Sequence, residues 1–273
     1  MSITHGARNT ASSAADSKLL ETLARAGFIG YGVVHLLFAW LALQIAFGGS
    51  GKQGDQSGAL QTLAAKPLGR FLVIAIIVGL VAMAIWQALE AAIGHRVDQG
   101  KTRVFERVAS AGRTVVYLYL AWTAYKVISG AQSSSATSQQ QTSEHLMTST
   151  GGRLLVGFAG LLVAVIGVGL VVYGLKKAFE KHLNMGQMTP QMRQLSSRLG
   201  MAGYAAKGVA YAIAGFLLLI AAVTYDAGKA RGLDSALRTL AEQSYGTLML
   251  TVVALGIGAF GVFCLIQARY RKV

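Results

Sequence analysis

The chain has 273 residues, of which 53% are hydrophobic and 13% are charged, about half the charged share of an average soluble domain. That balance excludes an ordinary soluble protein, and the single cysteine, Cys264, excludes a disulfide framework or a cysteine metal site. The net charge of +14 does not indicate nucleic-acid binding, because the basic residues cluster at the ends of apolar runs, where they orient a membrane protein.

Residues 1–18 are polar and lack apolar periodicity, so we interpret them as a disordered cytoplasmic tail. A cleaved signal peptide is not indicated, since the tail carries little basic charge and the first apolar run is too long. Six proline-free apolar runs follow, each long enough to cross a bilayer as a helix of about 20 residues. They are Leu23–Phe47, Arg70–Ile93, Val108–Ile128, Leu154–Ala178, Leu199–Thr224 and Leu248–Ala268.

The basic residues are unequally divided between the two sides of these runs. Seventeen of the 25 Lys and Arg residues lie in or beside the N-terminal tail, the second and fourth connections, and the C-terminus. Positively charged segments stay on the cytoplasmic side of a membrane. The sequence therefore predicts a multi-pass protein of the inner (plasma) membrane with both termini in the cytoplasm.

A two-helix unit recurs three times along the chain. Gly58-Ala-Leu-Gln-Thr-Leu corresponds to Ser235-Ala-Leu-Arg-Thr-Leu, and Gly27-Phe-Ile-Gly-Tyr-Gly-Val-Val-His corresponds to Gly203-Tyr-Ala-Ala-Lys-Gly-Val-Ala-Tyr. The middle copy has diverged further, with Arg113-Thr-Val-Val-Tyr in place of residues 31–35. Because each copy contains two spans, all three enter the membrane in the same direction, as parallel repeats related by an axis along the membrane normal.

The sequence thus predicts an all-α membrane protein in which six transmembrane helices form three parallel hairpins around a pseudo-threefold axis. The repeats occupy residues 19–98, 99–183 and 184–273. The outer segments Ser57–Ala65 and Asp234–Glu242 are expected to be short helices at the outer surface. The polar outer segment of the second repeat, residues 131–151, is expected to be a mobile loop.

These motifs resemble a known bacterial membrane family, called domain of unknown function 1206. The resemblance rests on Gly-aromatic-x-x-Lys/Tyr-Gly-Val-x-Tyr/His, the Gly/Ser-Ala-Leu-x-Thr-Leu outer segment and a second helix that begins with glycine. It covers Leu23 to about Arg271 and implies three tandem two-helix repeats in a bacterial inner membrane. It implies no catalytic residue, because no activity is assigned to the family.

Polar aromatic side chains at one depth of the three odd-numbered runs are the first candidates for a ligand contact. His35 lies about ten residues, or ~15 Å, into the first run, and its repeat equivalents are Tyr117 and Tyr211. Ionisable groups inside a membrane are functional candidates by default. The alternative is that each side chain makes one interhelical hydrogen bond and packs. The other four histidines lie in the tail or the connections, so haem is not predicted.

Two cations and one carboxylate are further candidates. Arg113 and Lys207 occupy equivalent positions near the cytoplasmic ends of their runs, where long side chains reach the headgroups; anionic-lipid binding is the alternative. Glu90, the only carboxylate within a run, is a candidate proton group. Gly256-Ile-Gly-Ala-Phe-Gly matches a dinucleotide motif by letters, but no strand precedes it, so we interpret its glycines as helix contacts. The same interpretation applies to Gly157, Gly160, Gly167 and Gly169.

The loops contain no nucleophile–base pair, metal-ligand spacing or phosphate loop, so the sequence predicts neither an enzyme nor a cofactor. Two classes of function remain. The first is a non-catalytic structural or accessory membrane protein that contacts anionic lipids and associates with a protein partner or with itself. The second is a small pore or carrier for an ion or small solute along the pseudo-threefold axis. The lack of buried charges favours the first, with a closed and mostly apolar bundle centre.

Overall fold

The computed structural model describes residues 18–47, 56–67, 69–93, 100–130 and 135–272, which are nearly all helical. The predicted disordered tail lies outside these ranges, apart from its last residue, where the first helix begins. Short 3₁₀ turns at Ala178–His182, Met185–Gln187 and Ala227–Lys229 join helices of the second half. The α-helices are α1 (Lys18–Ala46), α2 (Gln56–Ala64), α3 (Gly69–Ile93), α4 (Gly100–Ile128), α5 (Ser135–Met147), α6 (Thr150–Leu175), α7 (Pro190–Thr224), α8 (Leu233–Ala241) and α9 (Gly246–Tyr270).

Within the described ranges, five helices are long and apolar enough to cross a membrane: α1, α3, α6, α7 and α9. They coincide with five of the six predicted spans, as expected of a multi-pass membrane protein. The remaining predicted span lies in α4, which has 29 residues but carries Arg113, Lys126 and three tyrosines that lower its mean hydropathy. Large apolar side chains such as Phe71, Leu154 and Leu248 are mostly exposed on the outer faces of the spans, where lipid would cover them.

The short outer segments of the first and third repeats form helices α2 and α8, as the sequence predicted. The prediction of a mobile loop at residues 131–151 was wrong for most of that segment, which forms α5. Its Gln, Glu, Leu and Met residues are good helix formers. Ala136, Ser143 and Met147 are buried on one face of α5. Tertiary packing therefore stabilises a helix in a segment whose polar composition predicted a loop.

Consecutive repeats pack through neighbouring helices. Helix α3 packs along α4, α6 packs along α7, and α9 packs along α1. The hairpins of the first and third repeats also close on themselves, with α1 against α3 and α7 against α9. Helices α4 and α6 of the second repeat, in contrast, do not pack along each other in the part of the chain that the structure describes. The second hairpin is therefore open.

Glycines allow the closest helix crossings. A methyl group added at Gly160 would lie 2.9 Å from the carbonyl oxygen of Gly215, and one added at Gly167 would lie 2.7 Å from that of Gly208. Neither position accepts a side chain without moving α6 away from α7, as expected where small residues let membrane helices approach closely. Gly169 was expected to serve in the same way, but it faces open space.

Candidate functional site

Side chains from α1, α4, α7 and α9 meet in the interior of the bundle. We call Tyr31, His35, Tyr117, Lys207 and Phe260 the aromatic–lysine cluster. The repeat offsets explain part of its composition, because Tyr31 and Lys207 occupy one repeat position and His35 and Tyr117 occupy the position one helical turn further along. Residues 31, 113 and 207 are equivalent, and residues 35, 117 and 211 are equivalent one turn further along.

The ammonium group of Lys207 is held by aromatic groups. Its Nζ donates a hydrogen bond of 2.7 Å to the hydroxyl oxygen of Tyr31. It also lies 4.4 Å from the ring centroid of Phe260, 5.0 Å from that of Tyr31 and 5.7 Å from that of Tyr211. Ring faces attract cations at such distances. Among the described residues, no carboxylate lies within ion-pair distance of Lys207.

His35 is buried, with 2% of its surface exposed. Its Nδ1–H donates to the Tyr31 carbonyl at 2.9 Å, one helical turn earlier. The imidazole ring lies 4.3 Å from the Tyr31 ring and 4.9 Å from the Phe260 ring. Tyr31 also stands edge-on to Tyr117 at 5.6 Å. Tyr31 therefore joins His35 to Tyr117, whereas Tyr211 is reached through Lys207.

The interior beside this cluster is filled with side chains. Phe260, Phe263 and Cys264 of α9 are 3%, 0% and 0% exposed. Tyr204 of α7 continues the ring packing, 5.1 Å from Phe260 and 6.0 Å from Phe263. Side chains of α7 and α9 thus fill the space between these two helices beside Lys207.

Arg113 does not join its repeat equivalents, because its side chain turns towards Glu106. Its Nη2 lies 3.4 Å from Glu106 Oε2, and Lys181 Nζ lies 2.9 Å from Glu106 Oε1. We call Glu106, Arg113 and Lys181 the glutamate clamp. Burial raises the pKa of Glu106, but the hydrogen bond from Lys181 and the charges of Lys181 and Arg113 outweigh burial and hold that pKa below its ordinary value. The clamp joins α4 to the segment after α6.

His182 follows the clamp and is partly buried beside it. Its Nδ1 lies 3.2 Å from the Tyr173 hydroxyl. Burial lowers the pKa of His182 to about 4, and the nearby charges of Arg271 and Lys181 act in the same direction. The imidazole is therefore neutral at physiological pH, and it can accept the hydrogen bond from Tyr173.

The C-terminal end of α9 is fastened to the same segment. Leu183 and Arg271 form an isolated antiparallel bridge, and the Asn184 N–H donates to the Tyr270 carbonyl at 2.7 Å. The Arg271 guanidinium lies over the rings of Phe28 and Trp86, at 5.0 and 5.1 Å. Side-chain and backbone contacts therefore join helices from all three repeats at this end of the bundle.

The structure places the remaining candidate, Glu90, outside the cluster. Glu90 lies in the last turn of α3 and is half-buried. In the described part of the chain, no three His, Cys, Asp or Glu side chains converge as metal ligands would. Tyr31, Phe260 and Glu106 were not singled out from the sequence, although the repeat alignment already placed Tyr31 at the position of Arg113 and Lys207.

A cavity of about 680 Å³ opens between α4 and α6. We call it the second-repeat cavity. Helix α5 and the start of α8 lie at one end, and Tyr31 and Tyr211 lie at the other. Its lining residues are Tyr31, Val116, Tyr119, Leu120, Ser138, Gln139, Thr142, Ser143, Leu146, Leu155, Val156, Ala159, Val163, Tyr211, Ala214, Leu218, Ala230, Gly232 and Leu233.

Comparison with known proteins bears on the repeats. The family model described as Domain of Unknown Function (DUF1206) matches the chain at residues 26–94, 108–177 and 202–271. The chain is also 32% identical over 256 residues to "Uncharacterized protein YxxB" of Bacillus subtilis (strain 168), covering 93% of this chain and 92% of that protein. No solved structure matches. The three matches confirm the predicted tandem repeats and the resemblance noted from the sequence.

Proposed function

The chain belongs to the DUF1206 family, and we propose that it is a six-span inner-membrane protein with both termini in the cytoplasm and a non-catalytic structural or accessory role. The observation that carries the proposal is the packed interior. The aromatic–lysine cluster fills the space where a pore would need polar, water-accessible side chains at several depths. The bilayer and its anionic lipids are its surroundings, and a second membrane protein or a second copy is its partner.

Three features support α4 as the sixth span. Its 29 residues extend about 44 Å as a helix, more than the ~30 Å hydrocarbon core. Val115, Leu118 and Trp122 form an exposed apolar surface on it. The pairing of α3 with α4, α6 with α7 and α9 with α1 is the cyclic order that a pseudo-threefold bundle requires.

Cysteine labelling tests this topology. A Cys264→Ala background removes the one native thiol, and single cysteines then replace the exposed residues Gly130, Thr148 and Gly186. We expect a membrane-impermeant maleimide to label Gly130→Cys and Thr148→Cys from outside spheroplasts, and Gly186→Cys only after permeabilisation. If α4 does not cross, positions 130 and 186 exchange their behaviour, which would contradict the six-span arrangement.

A flux assay tests the absence of a conducting path. We expect liposomes that contain the wild-type protein to take up small ions and solutes no faster than empty liposomes, and His35→Ala to change nothing. Uptake by the wild type that is lost in a folded His35→Ala variant would instead favour a pore or carrier. Purification in mild detergent, followed by identification of the proteins and lipids that remain bound, tests the accessory role.

A further inference from the structure

The open hairpin of the second repeat has an explanation in the sequence. In the first repeat, Gly27 and Gly79 let α1 and α3 cross, since a methyl group added at Gly79 would lie 2.9 Å from Gly27 Cα. The third repeat also has glycine at both equivalent positions. The second repeat has Ala109 and Leu162 there, and Leu162 points outward with 50% of its surface exposed. Without the small pair, α4 and α6 stay apart and leave the second-repeat cavity between them.

The cavity is polar at one end and apolar along its walls. Hydroxyl and amide groups from α5 line the outer end, at Ser138, Gln139, Thr142 and Ser143. The rest of the wall is aliphatic apart from Tyr119, and Tyr31 and Tyr211 lie at the inner end. No Lys, Arg, Asp or Glu side chain belongs to the lining that the structure describes. This gradient matches a molecule with an uncharged polar region and an apolar tail.

The dimensions of the cavity match one leaflet of a bilayer. On α6 the lining extends from Leu155 to Val163, a rise of about 12 Å along the helix. Half of the ~30 Å hydrocarbon core is ~15 Å. The volume of about 680 Å³ falls within the range of about 300–1,000 Å³ that is typical of ligand sites.

We propose that the second-repeat cavity holds one acyl chain of an outer-leaflet phospholipid. The ester region of the lipid lies against the hydroxyl and amide groups of α5, and the chain ends against Tyr31 and Tyr211. The assignment to the outer leaflet rests on the proposed topology. Because no charged side chain belongs to the described lining, the site recognises the chain and its ester region and not the charge of the headgroup.

Photocrosslinking tests the occupant directly. The purified full-length chain is reconstituted in phosphatidylcholine vesicles that contain a trace of phosphatidylcholine with a diazirine in its acyl chain. After irradiation, we expect labelled peptides to include the buried lining residues Leu120 and Val156, which are 7% and 3% exposed. Labels confined to outward residues such as Leu162 and Val165 would overturn the proposal, since any bilayer reaches those side chains.

A matched pair of variants separates the cavity from the lipid-facing surface. Ala159→Trp fills the cavity wall on α6, whereas Leu162→Trp adds the same side chain on its lipid-facing side. Native mass spectrometry should show one retained phospholipid on the wild type and on Leu162→Trp, and at least a fivefold lower occupancy on Ala159→Trp. Equal retention by both variants, or a retained molecule without an acyl chain, would overturn the site.

A charge series and the cysteine labelling complete the test. Replacing phosphatidylcholine by phosphatidylglycerol should change occupancy less than twofold, whereas a strong preference for the anionic lipid would contradict recognition by the chain and ester region. Because cysteine labelling measures topology independently, a reversed orientation with the same cavity crosslinks would overturn the proposed topology and leave the acyl-chain site standing.

Discussion

Lys207 Nζ donates a 2.7 Å hydrogen bond to the hydroxyl of Tyr31, and so joins α7 of the third repeat to α1 of the first. The two residues occupy the same position in the repeat alignment. The third equivalent, Arg113, bonds to Glu106 instead. At this one repeat position, Lys207 is a hydrogen-bond donor, Tyr31 is its acceptor and Arg113 is an ion-pair partner of Glu106. The contacts in the interior therefore do not follow the threefold symmetry that the repeat alignment suggests.

Tyr31→Phe should destabilise the protein by about 1–2 kcal/mol, because it leaves the half-buried Lys207 ammonium without its hydroxyl acceptor. Reversible unfolding in detergent, followed by circular dichroism, measures the loss. Tyr211→Phe is the matched control, since Lys207 contacts the ring of Tyr211; we expect a change within about 0.5 kcal/mol.

Lys207→Met should suppress the effect of Tyr31→Phe. With the ammonium removed, the hydroxyl of Tyr31 no longer has a charged donor to satisfy, so the double variant should be about as stable as Lys207→Met alone. A double-mutant cycle gives this coupling free energy. Losses that simply add would show that the hydrogen bond between α7 and α1 does not carry the stability assigned to it.

The positions of five apolar helices of membrane-spanning length could be predicted from the sequence, whereas the direction of the Lys207 side chain could not. A bilayer imposes length and apolarity on every span, and those properties are local. Lys207 was expected to reach the headgroups, as long cationic side chains near span ends do. Phe260 of α9 and Tyr31 of α1 offer it a closer aromatic site, and their proximity depends on packing between repeats.

Gly167→Leu should separate α6 from α7, because a side chain there meets the carbonyl oxygen of Gly208. We expect a loss of at least about 1–3 kcal/mol, the usual cost of overpacking. Gly169→Leu is the control on the same helix, since Gly169 faces open space and its replacement should change stability by less than about 0.5 kcal/mol. Equal losses for the two variants in the same unfolding assay would contradict this crossing.

The protein should lose stability as the pH falls from about 6.5 to about 4. His182 has its pKa lowered to about 4 in the fold, so the unfolded chain binds a proton in this window that the folded chain does not. Unfolding is then favoured as the pH falls. Glu106, whose pKa is also lowered, extends the loss of stability to more acidic pH. The stability that its carboxylate contributes is complete only above the ordinary pKa of a glutamate side chain.

Single variants divide this pH dependence between the two groups. Unfolding midpoints measured between pH 3 and pH 8 should show that His182→Gln flattens the curve between pH 4 and pH 6.5. Glu106→Gln should flatten it below about pH 4.5 and lower stability at pH 7, where the clamp has lost its carboxylate. An unchanged curve for both variants would show that neither group titrates differently in the fold.

The second-repeat cavity was only partly predictable from the repeat pattern. The replacement of the glycine pair by Ala109 and Leu162 is visible in the sequence, and it indicates that the second hairpin cannot close like the others. The helix α5, which lies at the mouth of the resulting gap, could not be predicted from the polar composition of its segment. Its buried face consists of only three side chains, Ala136, Ser143 and Met147, and these do not form a clear apolar pattern in the sequence.

Asp234 should contribute more to the stability of the fold than any exposed ion pair does. It is fully buried at the start of α8, with Arg238 Nε at 3.1 Å and Arg231 Nη2 at 3.1 Å from its carboxylate. Asp234→Asn should cost about 2–3 kcal/mol, less than the loss of a fully buried pair, because both arginines remain partly exposed.

Asp226→Asn provides the comparison. Asp226 and Lys229 form an ion pair at 3.6 Å with both side chains about half exposed, so its loss should cost no more than about 0.5 kcal/mol. Hydrogen exchange should show faster exchange of α8 amides in Asp234→Asn alone. If both variants behaved alike in exchange and in unfolding, the buried carboxylate of Asp234 would not be what fastens α8 to the bundle.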